Sequence, residues 1–214
     1  MIRINTGDDE LGKTAGFYWD RKNGEGETKI FDGNLTVQSY LAPNGTAWKL
    51  TKTTFQINGN LLFGSNLDEV RLEGVNSLSL QVDGNLTVAK DLIGSSVPTL
   101  SHLTGGTLVD GYDSYYADDP DKGSRLGQGS LGGFSGGQGP GKGISLGSTG
   151  AGGLTGGGGS YAGEGGGGAS APGGIRYGSG GLDVLMGGSG GGPGNGGEAG
   201  AGGGALELII SGKH

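Results

Sequence analysis

Cysteine is absent from the 214 residues, which removes disulfides and any thiolate metal site and leaves the redox compartment open. Helix signals are almost absent too. No window longer than about eight residues keeps a 3.6-residue apolar period without Gly or Pro. No apolar run approaches the roughly 18 residues that a membrane-spanning helix needs, so no membrane insertion is expected. Positive charge is scarce and scattered: 14 Lys and Arg stand against 21 Asp and Glu, for a net charge of −7. An acidic chain without a basic run argues against nucleic acid as partner. Met1-Ile2-Arg3-Ile4-Asn5-Thr6-Gly7 has no apolar stretch of the kind a secretory signal carries.

What the chain has in excess is glycine. The stretch 123–204 holds 40 of the 56 glycines, so about every second residue there is Gly. Runs such as Gly156-Gly157-Gly158-Gly159 and Gly165-Gly166-Gly167-Gly168 leave too little apolar area to offset backbone entropy. Either the segment is a flexible linker or its backbone groups satisfy one another. The second outcome calls for extended chains in polyproline-II geometry, with three residues per turn and no internal hydrogen bonds. Collagen is rejected, because there is no strict G-X-Y register and the block has only Pro140, Pro172 and Pro193. Flexible linkers rarely carry large apolar residues. This one contains Leu126, Leu131, Phe134, Ile144, Tyr161, Ile175, Tyr177 and Leu185, and it runs into Ala205-Leu206-Glu207-Leu208-Ile209-Ile210, a terminal strand. An ordered, glycine-packed domain closed by that strand is expected.

The charge lies elsewhere. The first 122 residues carry 17 acidic and 10 basic side chains, and the glycine block is neutral. Gly16 to Phe31 reads as a hairpin, with two β-prone runs flanking Asn23-Gly24. Next comes a repeat. Asp32-Gly33-Asn34-Leu35-Thr36-Val37 recurs as Asn58-Gly59-Asn60-Leu61-Leu62-Phe63 and as Asp83-Gly84-Asn85-Leu86-Thr87-Val88. Each copy comes after a short strand-like run, so Gly33, Gly59 and Gly84 are expected at equivalent corners of stacked units. The fold class is therefore all-β: a hairpin and attachment region over 1–31, β-solenoid-like repeats over 32–110, a boundary loop over 111–122, and a polyglycine-II type domain over 123–214. A trimer of intertwined strands satisfies the same pattern, and a plain sandwich with coincidental turns is the bland alternative.

Motifs that carry chemistry fare poorly. Gly7-Asp8-Asp9-Glu10-Leu11-Gly12-Lys13-Thr14 matches the phosphate-loop pattern, but Ala15-Gly16-Phe17-Tyr18-Trp19 after it reads as strand rather than helix. Its three acids would also repel phosphate. Gly136 to Gly143 lacks the hydroxyl residue, and Gly178 to Leu185 approaches the calcium β-roll nonapeptide only once. Asp118, Asp119 and Asp121 lack EF-hand spacing, and Asp68, Glu69 and Glu73 fit a solvated face. His102 and His214 have no partners for a metal site, and no Ser has a recognisable base. Asn34, Asn44 and Asn85 open N-x-T sequons, and two of them belong to the repeat corner. No catalytic residue, metal or cofactor is expected.

The Asp-Gly-Asn-Leu-Thr-Val units after Ala15-Gly16-Phe17-Tyr18-Trp19-Asp20-Arg21 resemble the shafts of phage tail-fibre proteins, notably those of cyanophages and marine phages. The block from Gly123 to Gly204 resembles the glycine-rich domains of phage tail-tip adhesins. That resemblance implies polyglycine-II bundles with host-binding loops at their ends. An extracellular-looking composition without a signal suits a virion protein assembled in the host cytoplasm, and an excised fragment looks the same. Glycine blocks that leave a β-helix and return to a strand like Ala205–Ile210 also resemble large bacterial surface proteins. The resemblance implies a virion fibre or adhesin component with no enzymatic role. It would be a homo-oligomer, with a trimer favoured, joined to other virion proteins through its N-terminal part. A secreted structural protein of a surface layer or extracellular filament is the alternative. Phe134, Tyr161, Arg176 and Tyr177 are the expected contacts to a host glycan or outer-membrane protein, since exposed aromatics and Arg carry binding energy. The competing reading has the three aromatics anchoring the glycine block to the β part.

Overall fold

A computed structural model of the chain describes residues 1–7, 14–20, 26–89, 92–94, 131–134, 139–143, 145–147, 154–156, 159–161, 163–167, 171–178, 183–192 and 200–212. These residues form thirteen strands and no helix, in mixed sheets. The boundary loop at 111–122 and the turn at Asn23-Gly24 lie outside the described residues.

The strands arise from β-branched and aromatic runs broken by glycine. β1 (Ile2–Asn5), β2 (Gly16–Asp20) and β3 (Glu27–Asp32) form an antiparallel meander, so the Gly16–Phe31 segment pairs as expected. β4 (Asn34–Leu41) folds back on the long β5 (Ala47–Ile57). Beyond β5 the pairing changes character. After β5, β6 (Leu61–Phe63) and β7 (Val70–Glu73) come β8 (Ser77–Val82), β9 (Leu86–Val88) and β10 (Leu92–Gly94). β8 lies parallel on β5, with Lys52 opposite Ser77 and Ile57 opposite Val82. β9 lies parallel on β6, with Leu61 opposite Leu86. β10 lies parallel on β7, with Val70 opposite Leu92. The first two pairings join residues 25 apart, the period read from the hexapeptides.

The three sheets share one apolar core. Ile2, Ile4, Val70 and Leu72 come from the first sheet, Phe55, Leu78, Leu80 and Val82 from the second, and Phe63 from the third. Phe17 and Phe31 close one end against Phe55, with ring centroids 4.8 Å and 6.3 Å away.

The corners account for the repeat. Gly84 N donates to Gly59 O at 3.0 Å, and Asn85 N donates to the Asn60 side chain at 2.8 Å. Gly59 has φ +112°, a region open to glycine. Gly84 has no such φ. A Cβ there would fall 2.7 Å from the Gly59 carbonyl carbon, so close approach selects it. The expected equivalence of Gly33 does not hold. β3 before it pairs antiparallel with β2 and β4 after it pairs antiparallel with β5, so it sits where the chain passes from one sheet to the other, against Thr53 and Phe55. The third member of the stack is Gly212, whose N donates to Gly84 O at 3.0 Å. It lies just beyond β13 (Leu206–Ile210), which pairs parallel with β8, Leu206 opposite Leu78, 128 positions apart. The terminal strand thus returns to the β part after the glycine block.

Apart from a short antiparallel pair, β11 (Ser145–Gly147) and β12 (Leu154–Gly156), the described glycine block holds no strand. Its segments are nonetheless bonded together. Segment 185–192 bonds to four others: Gly187 N to Gly132 O (2.9 Å), Gly188 N to Gly203 O (2.8 Å), Ser189 N to Ser160 O (3.0 Å), and Gly143 N to Gly190 O (3.1 Å). Segments 131–134 and 200–205 also bond to each other, through Gly202 N to Phe134 O at 2.8 Å and Ala205 N to Leu131 O at 2.7 Å. A pleated strand directs its amides to two neighbours in one plane. Three segments bonded mutually cannot lie in such a plane. Leu131 carries the block into the β core, 6% exposed, with Leu131 N on Gly74 O at 2.7 Å.

Two measurements check these contacts. Gly59→Val is expected to cost about 2 kcal/mol through backbone strain and to lower Tm by roughly 5 °C. In the glycine block, a Cβ at Gly187 meets the Gly203 carbonyl and, at 2.7 Å, Gly133 Cα, whereas one at Gly166 meets nothing within 4 Å. Gly187→Ala should therefore lower Tm and raise amide exchange across 185–191, while Gly166→Ala leaves both unchanged; equal behaviour of the two variants would mean the block is an unpacked linker.

Candidate functional site

The feature that joins the two parts is an aromatic seam. The hairpin β4–β5 places Tyr40 opposite Trp48, on one face of the sheet. Trp48 meets Phe134 edge-on, with centroids 5.2 Å apart and planes at 74°. Tyr40 lies 6.3 Å from Tyr177, and its hydroxyl donates to Tyr177 O at 2.7 Å. Tyr177 in turn meets Tyr161 at 5.3 Å and 84°. Such tilted and edge-to-face pairs add to the burial of large apolar area.

Tyr177 is 5% exposed, and its hydroxyl donates to Gly187 O at 2.7 Å. Burial, with smaller contributions from Tyr161 and Tyr40 and an opposing hydrogen bond from Ser189, pushes its pKa up to about 12. Ser160 and Ser189, both buried, knit the surrounding glycine segments. Ser160 Oγ donates to Gly141 O at 3.2 Å and to Ile175 O, and Gly141 N donates to Ser189 Oγ at 3.0 Å. These two serines sit where the block needs a polar side chain to finish what its own backbone leaves open.

The four residues expected to share an exposed surface therefore separate. Tyr177 is interior, and Phe134 is half-buried against Trp48, because each ring is gripped by an aromatic of the β part. Tyr161 is half-buried on Tyr177 and covers Gly178, where a Cβ would meet its ring at 2.9 Å. Arg176 alone of the four is exposed, beside Ile175 at 51%. The neighbouring stretch 163–167, with Glu164, is largely exposed as well. Sequence reasoning missed Tyr40 and Trp48 as their partners; the signal was an aromatic pair across the Pro43-Asn44 turn.

The remaining motifs gain no chemistry. Gly7 has φ +100° and its N donates to Asn5 Oδ1 at 2.7 Å, but the element after Thr14 is β2, not a helix; residues 8–13 lie outside the described residues. Glu73 is held by Arg3 at 3.0 Å and Asn5 at 3.2 Å, and Glu69 pairs with Arg71 at 2.7 Å. Asn34, Asn44 and Asn85 are exposed. His102, Asp118, Asp119, Asp121 and His214 lie outside the described residues. Among the described residues no three His, Cys, Asp or Glu side chains form a group able to hold a metal ion. No family model, curated protein or solved structure matches the chain.

The Tyr177 environment sets a pH dependence. Below pH 10 the phenol is neutral in both the folded and unfolded states. Between pH 10 and 12 the unfolded chain loses the proton while the folded chain keeps it, so stability falls as pH rises through that window. Chemical denaturation at pH 9 and pH 11 should show a larger loss for the wild type than for Tyr177→Phe. Parallel losses in the two proteins would place the titration elsewhere.

Proposed function

We propose that this chain is a non-catalytic structural and adhesive protein. Its β part is a β-solenoid that serves as a stalk, and its glycine block is a polyglycine-II bundle held out from it. Parallel pairing at 25 residues in consecutive strands, with stacked corner glycines, supports the solenoid. Mutual bonding among three or more glycine segments supports the bundle, since a three-fold helix directs its amides around its axis rather than in one plane. The observation that carries the functional reading is the seam of Tyr40, Trp48, Phe134 and Tyr177. It fixes the bundle to the stalk, which suits a part that must present a surface without yielding.

As a virion fibre or adhesin component, the protein would sit on the particle surface and present the bundle to a host glycan or outer-membrane protein. Of the expected contacts, Arg176 and Tyr161 remain available, with Ile175 added. A second reading, a structural protein of a bacterial surface layer or extracellular filament, is favoured by one observation. The chain leaves the β part after β10 and returns as β13 on β8, so the glycine block is an excursion from the stack rather than its terminal tip.

Adhesion is tested with Ile175→Ser/Arg176→Ala, both exposed and outside the seam. The expected result is at least a tenfold loss of cell adsorption at unchanged Tm, in line with the 1–2 kcal/mol or more that an Arg-centred contact carries. Undiminished adsorption removes this surface from the host contact and leaves the purely structural reading.

A further inference from the structure

The two ends of the β stack are finished differently. At one end Phe17 and Phe31 sit on Phe55, and the antiparallel strands β2, β3 and β4 flank the opening. At the other end the outermost strand is β13. Its register on β8 sets Leu206, Leu208 and Ile210 beside Leu78, Leu80 and Val82, all three of which are core. The β13 side chains on that face therefore point along the core, yet Leu206 is 41% and Leu208 44% exposed. Val88, in register with buried Phe63, is also 41% exposed. Among the described residues no strand pairs with the outer edge of β13.

Edges of this kind are ordinarily blunted by charge, proline or a bulge. β13 has none of these facing outward. Its single charge, Glu207, lies on the opposite face, where it accepts from Ser79 Oγ at 2.6 Å and pairs with Lys52 at 3.8 Å. The core is thus left without a closing layer at one end, next to a row of open backbone donors and acceptors.

We infer that this end is the contact surface for a second copy of the same chain, joined end to end through antiparallel pairing of β13 with β13. The inference rests on the solenoid reading. At the opposite end the rings already fill the core opening; the free β4 edge there also carries exposed Leu35, Val37 and Leu41, but pairing it with β13 would be heterologous and would leave an open core end on every assembly. The same end does match. A two-fold axis at Leu208 sets Leu206 opposite Ile210 and Glu207 opposite Ile209, so like charges are not opposed and the apolar side chains of both copies fall on one face. Two open cores then close each other. The trimer expected from the sequence answered a need for strand partners from other chains. Here the partners of β5 to β10 lie within one chain, and the β13 end is the one at which the core itself lacks a closing layer.

The test is sedimentation equilibrium in a concentration series up to about 0.1 mM, enough to populate a weak contact. The expected mass rises from 21.1 kDa to twice that value. Leu208→Lys places two cations at the two-fold axis and should hold the protein at 21.1 kDa with an unchanged far-UV spectrum. Because the chain has no cysteine, Leu208→Cys gives an independent readout. Facing Cα atoms in an antiparallel pair lie about 4.5–5.5 Å apart, within disulfide range, so mild oxidation should yield a linked dimer, whereas Thr36→Cys on β4 should not. Three outcomes overturn the inference: a wild-type mass that stays at one chain or settles at three, a Leu208→Lys variant that still dimerises, or Leu208→Cys that fails to cross-link. A dimer without host adsorption would leave the inference standing and count only against adhesion.

Discussion

Backbone-to-backbone hydrogen bonding at close approach is the constraint on which this protein depends. Glycine occupies 56 of 214 positions, so side chains cannot supply most of the cohesion. In the β part the bonding takes the form of the familiar ladders. In the glycine block it leaves the plane of any sheet, and segments 131–134, 185–192 and 200–205 bond pairwise. Such proximity demands the absence of Cβ at the contact points. It also explains why three large side chains of the block sit at its boundary with the β part. Leu131 enters the core, and Phe134 and Tyr177 meet Trp48 and Tyr40.

The seam and the core do different work. The core is mostly aliphatic around Phe55 and Phe63, with Phe17 and Phe31 closing one end. The seam is aromatic and tied down by hydroxyls to backbone carbonyls, Tyr40 to Tyr177 and Tyr177 to Gly187. A glycine surface is nearly featureless, and flat rings with a polar tip are the side chains able both to lie on it and to bond to its carbonyls. The polar tips fix the position of the block relative to the sheet, which apolar contact alone would leave free to slide.

Much of the β part was legible because its signals are local. Two of the three hexapeptides mark corners that do stack, and their spacing of 25 is the register of the parallel pairs. Gly33 carries the same letters but opens a different kind of strand. β4 runs on for eight residues and doubles back through Pro43-Asn44 onto β5, which makes the pairing antiparallel. Gly212 was hidden for the opposite reason. It comes after Ser211 rather than Asp or Asn, and 128 positions separate its strand from the one it pairs with, so no fixed period reveals it. Tyr177 was misjudged because an aromatic after a glycine run looks exposed when its partners are far away in the chain. Nothing near residue 177 announces Tyr40.

The return of β13 has a consequence for how such a chain can grow and how it must fold. Loop-closure entropy rises only with the logarithm of length, so closing 128 residues instead of 25 costs about 1.4 kcal/mol more. The gap between two parallel strands can therefore admit a whole glycine block with little loss of stability. Time is the larger penalty. Pairing across so long a separation forms late and slowly. Until β13 arrives, Leu78, Leu80 and Val82 wait with no strand of the same sheet beyond them. The closing of that β13 clasp is then the expected slow step in folding.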